Sequence, residues 1–371
     1  MWLFAISFLL LAVACSSSDE SGEQQPTMLT VYVYSPEHPL LIRSDVGHVD
    51  ASFDETKITR LQIWVCNNAT GETVAYLVTD DTAQLNVGEG AVYQLPVSDD
   101  FAHNKPYVDV YVMANIPTDG YAADSKLDGS STRQQILDAT IPETSFGLTT
   151  PTTSVPEKGL PMTGSLTAQP VVGEAPVLRV GTTSHIATVR LERAISKVRF
   201  VFANTAAVEP ATSVDPLYIK SVSLDANMIP NAEYLIQQTR TLTTDWNAET
   251  SLWTASATEE KVKEVADPTF YIYSGQEAQD YEDLIDQSDL TKIGPFYLRE
   301  SDQKLSGTIT YQIGENAAQT GRFEMDAAGD FRRNHTWIVY AYHAGGGFLQ
   351  MNTIYIKDWT NASASHEVYN W

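Results

Sequence analysis

The chain has 371 residues, of which 43% are hydrophobic, a length that predicts about two domains with buried cores. Its 47 Asp and Glu residues against 23 Lys and Arg residues give a formal net charge of −24. No cluster of Lys and Arg offsets this charge, which repels phosphate backbones and excludes nucleic acid as a partner. Cys15 and Cys66 are too few for a disulfide framework or a cysteine-based zinc site.

The first fourteen residues, Met1–Ala14, form an unbroken apolar run that ends in small side chains. This run is too short for a permanent membrane helix and fits the core of a secretory signal. The join Ala12–Cys15 resembles a bacterial lipobox, in which the cysteine receives diacylglycerol and the leader is removed. The polar segment Ser16–Glu20 resembles the signal that sends Bacteroidetes lipoproteins to the outer face of the outer membrane. We predict a signal peptide over residues 1–14 and lipidation of Cys15; the alternative is an ordinary signal peptide with an incidental cysteine.

The folded part of the chain is predicted to begin after a disordered tether over residues 15–28. Leu29–Tyr34 reads Leu-Thr-Val-Tyr-Val-Tyr. This period of two predicts a strand with Leu29, Val31 and Val33 on one face.

Residues 60–78 predict a β-hairpin, because two alternating runs flank the turn sequence Asn-Asn-Ala-Thr-Gly. Residues 107–113 predict a further strand by the same alternation. The first strand of the hairpin has two faces, one with Leu61, Ile63 and Val65, and the other with Trp64 and Cys66.

Residues 117–160 are rich in Thr, Ser, Gly and Pro and predict a long connection. A short helix, capped at Ser130 or Ser131, is predicted to interrupt it. Residues 188–202 alternate again, with a change of register over residues 193–197. That change predicts a bulge or a strand that leaves one sheet for another.

The second half repeats the pattern of alternating runs. These runs predict strands over residues 217–224, 270–273, 305–313, 336–342 and 351–359. The sequence therefore predicts an all-β protein of two tandem β-sandwich domains, over residues 29–187 and 188–371.

The sequence lacks the common catalytic spacings: there is no HExxH, GxSxG, CxxC or P-loop motif. His335 and His343 would lie more than about 25 Å apart on one strand and cannot share a metal. We therefore predict no enzymatic activity, no metal and no cofactor. The aromatic residues are typical of core and cross-strand pairs, and a glycan-binding groove is the alternative.

Six segments carry a further pattern, and each is an apolar strand with a few fixed letters. They are residues 59–68, 160–164, 190–198, 219–224 with 229–230, 333–337 and 354–359. In this order they resemble the fimbrillin superfamily of Bacteroidetes type V pili, which comprises stalk, tip and anchor subunits. The resemblance implies two tandem transthyretin-like β-sandwich domains with Greek-key-type connections, export as a lipoprotein to the outer membrane surface, and assembly by strand exchange.

The resemblance also implies a maturation site. In stalk subunits of this superfamily, a trypsin-like protease cuts after an Arg in the loop that follows the first strand, and that strand then leaves. Here the loop over residues 35–44 carries a single Arg, Arg43, followed by Ser44, and its two prolines keep it out of a strand ladder. Strand 29–34 would be the displaced strand. The alternative is an uncut loop in which Arg43 is an ordinary surface residue.

A donor strand should be long, apolar at alternate positions and near the C-terminus. Residues 349–356 meet this description, and the more polar tail over residues 362–371 is the alternative. The candidate apolar residues of the donor strand are Leu349, Met351, Ile354 and Ile356.

These observations predict a lipid-anchored cell-surface protein that acts as a structural subunit or anchor of a fimbria in adhesion. The predicted partners are other fimbrial subunits, the outer membrane through the lipid, and a host glycan or protein. The alternative is a surface lipoprotein that binds a glycan or host protein without polymerising, which would keep Arg43 uncut and expose an aromatic patch. The roles of stalk, tip and anchor all remain open at this point.

Overall fold

The computed structural model shows an all-β sandwich protein with two short helices in the part of the chain that it describes. The described residues are 27–35, 55–81, 84–85, 90–98, 100–101, 104, 107–121, 126–148, 151–166, 187–206, 214–239, 242, 245–256, 260–268, 288–325, 331–356 and 366–370. The predicted all-β sandwich class is confirmed.

The first half of the chain contains nine strands and two helices within the described residues. The strands are β1 (Thr27–Tyr34), β2 (Leu61–Asn67), β3 (Thr73–Thr79), β4 (Ala91–Val97), β5 (Val108–Ala114), β6 (Thr140–Pro142), β7 (Met162–Leu166), β8 (Ala187–Arg190) and β9 (Glu192–Arg193). The helices are α1 (Arg133–Asp138) and α2 (Glu143–Phe146).

The second half continues with strands alone in its described part. They are β10 (Ser196–Thr205), β11 (Leu217–Leu224), β12 (Ala232–Tyr234), β13 (Thr250–Thr254), β14 (Glu260–Lys261), β15 (Glu264–Val265), β16 (Thr291–Leu298), β17 (Ser306–Ile313), β18 (Gln319–Glu324), β19 (Thr336–His343), β20 (Gln350–Ile356) and β21 (His366–Asn370).

Two sheets of the first half face each other across one core, and we call this unit the N-terminal sandwich. One sheet has the strand order β4-β1-β8, and the other has the order β3-β2-β5-β7-β9. Alternate side chains of both sheets meet in a single hydrophobic cluster, as the period of two requires. In this cluster Val31 of β1 lies with Ile63 of β2 and Val110 of β5.

Two larger sheets form the C-terminal sandwich. One has the path β15-β10-β19-β20-β21 with β16 paired to β10, and the other has the path β13-β11-β17-β18 with β14 paired to β11. Their shared core is built around Phe200, whose ring lies edge-on to Phe296 at 6.1 Å and to Phe323 at 5.2 Å between ring centroids. Such edge-to-face pairs add to the stability gained from burial.

The chain passes from one sandwich to the other between β8 and β10. β8 pairs with β1, β9 pairs with β7 in the facing sheet, and β10 joins β19 in the C-terminal sandwich. The predicted change of register over residues 193–197 is confirmed as a strand that leaves one sheet for another. The bend itself lies at Ala194 and Ile195, whereas the boundary predicted at residue 188 falls within β8.

A two-stranded ribbon and a third hydrophobic cluster join the two sandwiches. β6 pairs with β12, so that residues 140–142 of the first half lie against residues 232–234 of the second. The cluster contains Trp64 and Tyr111 on the outer faces of β2 and β5, together with Leu235 and Tyr297 from the second half. We call this region the junction.

The sequence predicted the local elements well where the alternation was strong. The hairpin over residues 60–78 is β2 paired antiparallel with β3, and its two predicted faces lie in the N-terminal core and the junction. The predicted helix is α1, but its N-cap is Thr132 rather than Ser130 or Ser131. Thr132 and Gln135 form a capping box, in which each side chain accepts a hydrogen bond from the other's backbone N–H.

Four of the five strands predicted in the second half are present in the structure. Those over residues 217–224, 305–313, 336–342 and 351–359 correspond to β11, β17, β19 and β20, although residues 357–359 lie outside the described residues. The strand predicted over residues 270–273 also lies outside them.

Candidate functional site

The candidate site is the groove that β1 occupies in the N-terminal sandwich. β1 is the middle strand of its sheet: it pairs antiparallel with β4 from Thr27 to Val33 and parallel with β8 from Val31 to Tyr34. A middle strand has both of its edges hydrogen-bonded, so withdrawing it would expose two neighbouring strand edges at once.

The inward face of β1 fills the core. Leu29 is 4% exposed, and Val31 and Val33 are fully buried, as the alternation predicted. Opposite Val31 in the register lies Tyr93 of β4, whose hydroxyl donates to the backbone oxygen of Gln84 at 2.5 Å. Burial raises the pKa of Tyr93 to about 12, so this wall of the groove stays neutral at physiological pH.

The outward face of β1 is less buried and more polar. Thr30 accepts a hydrogen bond from the Gln94 side chain of β4 at 3.0 Å. Tyr32 and Tyr34 stack side by side, with 5.9 Å between ring centroids. Because these contacts lie at or near the surface, the binding of β1 depends chiefly on its inward face and its two ladders.

The second wall of the groove is β8, and a close backbone approach fixes its position. A Cβ atom on Gly164 of β7 would lie 2.1 Å from the backbone oxygen of Arg190. β7 and β8 belong to opposite sheets, so this contact closes the corner of the sandwich. Just beyond β8, the N–H of Leu191 donates to the backbone oxygen of Tyr34 at 2.9 Å.

The cost of losing β1 is comparable to the stability of a whole domain. Three buried apolar side chains at about 1.5–3 kcal/mol each give on the order of 5–9 kcal/mol, before any lost ladder hydrogen bonds. Domains are stable by only about 5–15 kcal/mol. A molecule without β1 would therefore be only marginally stable.

Glu55, at which the described chain resumes after β1, is held by three residues far along the chain. The Glu55 carboxylate accepts from the Lys197 ammonium at 3.0 Å and from the Tyr297 hydroxyl at 2.6 Å. Its backbone oxygen accepts from the Arg193 guanidinium at 3.1 Å. These partners lie far along the chain, and neither the sequence motifs nor the alternation indicated them.

Three of the predicted site residues lie outside the described residues: Cys15, Arg43 and Ser44. The structure places the remaining ones in two separate sheets. Leu29, Val31 and Val33 line the groove of the N-terminal sandwich, whereas the candidate donor strand belongs to the C-terminal sandwich.

The candidate donor strand, β20, lies between β19 and β21 in its own sheet. Leu349, just before it, is buried in the C-terminal core, and Met351 packs against that core. Ile354 and Ile356 pair through the backbone with Ile338 and Thr336 of β19. β21, within the predicted alternative tail, pairs only with β20 among the described strands.

Two further side chains of the described residues that could act chemically lie in the interior. His343 is buried, and its ring nitrogens lie 3.0 Å from Asn204 Oδ1 and 2.9 Å from the backbone oxygen of Gly346. Cys66 is a buried free thiol whose pKa is raised by burial. Among the described residues, no group of three or more His, Cys, Asp and Glu side chains could hold a metal ion, and no helix has the length and apolarity to cross a bilayer.

No family model and no curated protein matches this sequence. Among solved structures, the chain is similar to a candidate cell adhesion protein from Parabacteroides distasonis, with 13% identity, a TM-score of 0.48, and coverage of 93% of this chain and 97% of that one. It is also similar to the C-terminally truncated tip fimbrial protein Mfa3 from Porphyromonas gingivalis, with 11% identity, a TM-score of 0.46, and coverage of 93% and 99%. A fimbrilin from Porphyromonas gingivalis W83 matches with 12% identity, a TM-score of 0.45, and coverage of 92% and 95%.

Two of these structures are fimbrial proteins, and the third is a candidate cell adhesion protein. At these low identities and TM-scores, the functional proposal for this chain rests on its own geometry and sequence.

Proposed function

We propose that the protein is a subunit or anchor of a cell-surface fimbria and that its β1 groove accepts a strand from a neighbouring subunit. The observation that carries this proposal is the position of β1. It is the middle strand of a three-stranded sheet, its inward face is buried, and its two neighbours follow far along the chain. A strand so placed can be exchanged for another of matching alternation without changing the rest of the sheet.

Cleavage between Arg43 and Ser44 would release β1 in this scheme. The anchoring of Glu55 by Lys197, Tyr297 and Arg193 supports the scheme, because it holds the start of the second strand in place when the first is lost. The groove walls β4 and β8 would then present their backbone groups to an incoming strand.

The strand that we propose as the donor is the tail that contains β21. β21 pairs only with β20 among the described strands, so its release breaks one ladder. Release of β20 would break two ladders and would withdraw Met351 from beside the C-terminal core. The tail is therefore the cheaper donor to release, although its strand His-Glu-Val-Tyr-Asn carries fewer apolar side chains than residues 349–356.

The test determines the N-terminal residue and the assembly state of the protein isolated from its own cell surface. It compares wild type with two substitutions of Ser44, to alanine and to proline. Proline after the scissile bond blocks trypsin-like cleavage, whereas alanine permits it. We expect cut chains of wild type and Ser44→Ala to begin at position 44, with Ser and Ala respectively, and to run as an SDS-resistant ladder. We expect Ser44→Pro to remain uncut and monomeric. Ladders of uncut Ser44→Pro chains would overturn release by cleavage at Arg43. Monomeric wild type that begins at Cys15 would overturn the polymerising role and favour a permanently tethered surface protein.

We also propose that the chain is exported as a lipoprotein, with residues 1–14 removed and Cys15 acylated, and that its two domains meet between β9 and β10 rather than at residue 188, which lies within β8. Several acyl chains give the stable anchoring that a single chain does not. Labelling with an alkyne analogue of palmitate is done on the uncut Ser44→Pro chain, which keeps Cys15. It should mark this chain with or without Cys66→Ala, but not with Cys15→Ala. Label that persists in Cys15→Ala would overturn the anchor.

A further inference from the structure

A polar cleft opens beside the end of β1, where β7 and β8 meet the start of the second half. Its volume is about 360 Å³, within the range of about 300–1,000 Å³ that is usual for small-molecule sites. The lining residues that matter here are Tyr34, Ser165, Thr188, Arg190, Glu192 and Gln237. None of them belongs to the inward face of the groove, so the cleft is a separate feature of the molecule.

The charges around the cleft are already paired. The Arg190 guanidinium lies 3.4 Å from the Glu192 carboxylate. Arg333, which also lines the cleft, donates to the Glu300 carboxylate at 2.7 Å and to the backbone oxygens of Tyr234 and Leu235. A ligand therefore meets no net charge from these pairs, which disfavours phosphate and other simple anions.

The remaining lining has the chemistry that suits hydroxyl groups. Ser165 and Thr188 carry hydroxyls that both donate and accept, and Gln237 carries an amide with both functions. These three residues are exposed, so an apolar ligand would displace the water bound to them without replacing its hydrogen bonds, which costs free energy. A sugar ring matches them, because each of its hydroxyls also donates and accepts.

Tyr34 is the aromatic residue in the lining of the same cleft. Its ring stacks on that of Tyr32, with 24° between the ring planes. Aromatic rings combine an apolar face with a polar edge, and the C–H face of a pyranose packs on such a surface. We propose that this cleft binds a short neutral saccharide. This inference goes beyond the fimbrial role, and because Tyr34 lies on β1 it applies to the uncut chain that still carries β1.

The test is saturation-transfer NMR on the full-length chain carrying Ser44→Pro, in which β1 stays in place whatever its fate in the wild type. The probes are lactose, maltose and chitobiose as neutral sugars, with sialic acid, inorganic phosphate and an acetylated tri-alanine amide as competitors of other chemistry. We expect transfer to at least one neutral sugar and none to the three competitors.

Matched substitutions place the binding in the cleft. Thr188→Val and Gln237→Ala should each weaken binding about three- to tenfold, the cost of one hydrogen bond. Thr320→Val on exposed β18 and Gln134→Ala on α1 remove the same groups elsewhere and should leave it unchanged. The inference is overturned by the absence of transfer to all neutral sugars, by preferred binding of a competitor, or by sugar binding that survives both cleft variants.

Discussion

At the scale of single residues, close contacts decide where the walls of the β1 groove stand. Gly164 allows β7 to approach the backbone of β8, because a Cβ atom there would also lie 2.8 Å from Val189 Cγ1. Real Cβ atoms do not come as close as 2.1 Å to a backbone oxygen, so any side chain must push β8 away. The glycine is thus required by packing rather than by an unusual backbone angle.

We therefore expect Gly164→Ala to lower the free energy of unfolding by about 1–3 kcal/mol, the usual cost of overpacking. The measurement is the urea midpoint and slope. Gly347→Ala is the matched control, since nothing lies within 4 Å of its added Cβ, and it should cost less than about 0.5 kcal/mol. Equal stability of the two variants would contradict the role assigned to Gly164.

A second residue, Glu233 in the junction, makes stability depend on pH. Burial raises its pKa from 4.5 to about 7, and the neighbouring Glu300 and Asp302 add to this, while the Tyr234 N–H and Arg333 oppose it. Between about pH 4.5 and 7, Glu233 is thus protonated in the folded state and ionised in the unfolded state. The contribution of Glu233 to the free energy of unfolding therefore falls as pH rises from about 4.5 to 7.

Glu233→Gln should remove this loss, so that its stability declines less than that of wild type between pH 4.5 and 7. Chemical denaturation at a series of pH values measures the difference. Glu249→Gln, at an exposed position, should follow the wild-type curve. A parallel decline of wild type and Glu233→Gln would show that other groups cause the pH dependence.

At the scale of elements, β1 is bound through alternate residues, so its two faces should respond differently to substitution. Leu29→Ala should cost about 2–5 kcal/mol, because it removes buried methyl groups and leaves a cavity. Thr30→Ala, the next residue on the outward face, loses one hydrogen bond with Gln94 and should cost less than about 1 kcal/mol. Urea unfolding distinguishes these values, and similar costs for both variants would contradict the binding of β1 through its inward face.

Several of the strands that the alternation did not predict lie at sheet edges. β4 and β16 contain Pro96 and Pro295, and a proline in a run argues against a strand. β4 pairs only with β1, and β16 only with β10, among the described strands. An edge strand tolerates a proline because its free side needs no N–H donor, and the sequence does not show which strand is at an edge.

At the scale of the whole molecule, two buried arginines hold the junction together. Arg299 is fully buried and donates to the backbone oxygens of Pro230, Pro142 and Phe146 and to the Glu143 carboxylate, at 2.7–3.1 Å. Burial lowers its pKa, and the hydrogen bond with Glu143 opposes this. One guanidinium therefore connects residues of both halves, with Arg333 holding the other side of the ribbon.

Arg299→Met should lower the free energy of unfolding by about 3–5 kcal/mol, because it leaves a carboxylate and three carbonyls without their donor. Arg322→Met is the control: Arg322 also pairs with a carboxylate, of Asp225, at 2.6 Å, but its side chain is 60% exposed. It should cost less than about 1 kcal/mol. Calorimetry tests both, and a small effect of Arg299→Met would show that the ribbon and the hydrophobic cluster hold the junction without it.

The sequence by itself determined the strands whose alternation was strong, and with them the all-β class and the buried face of β1. Alternation is local: Leu29, Val31 and Val33 share a face because a strand repeats every two residues. For the same reason, the change of repeat over residues 193–197 coincides with the bend at Ala194 and Ile195, whereas the domain boundary was predicted at residue 188, within β8.

Only the tertiary structure decided which strands border β1. Its neighbours β4 and β8 begin at Ala91 and Ala187, and no local pattern joins residues so far apart. The tertiary structure also decided where the charged side chains lie. Arginine and lysine are usually found at the surface, yet Arg299, Arg333 and Lys197 are each buried beside a carboxylate. A charge can be buried only where folding supplies its partner, and that partner is set by the pairing of distant segments rather than by the neighbouring sequence.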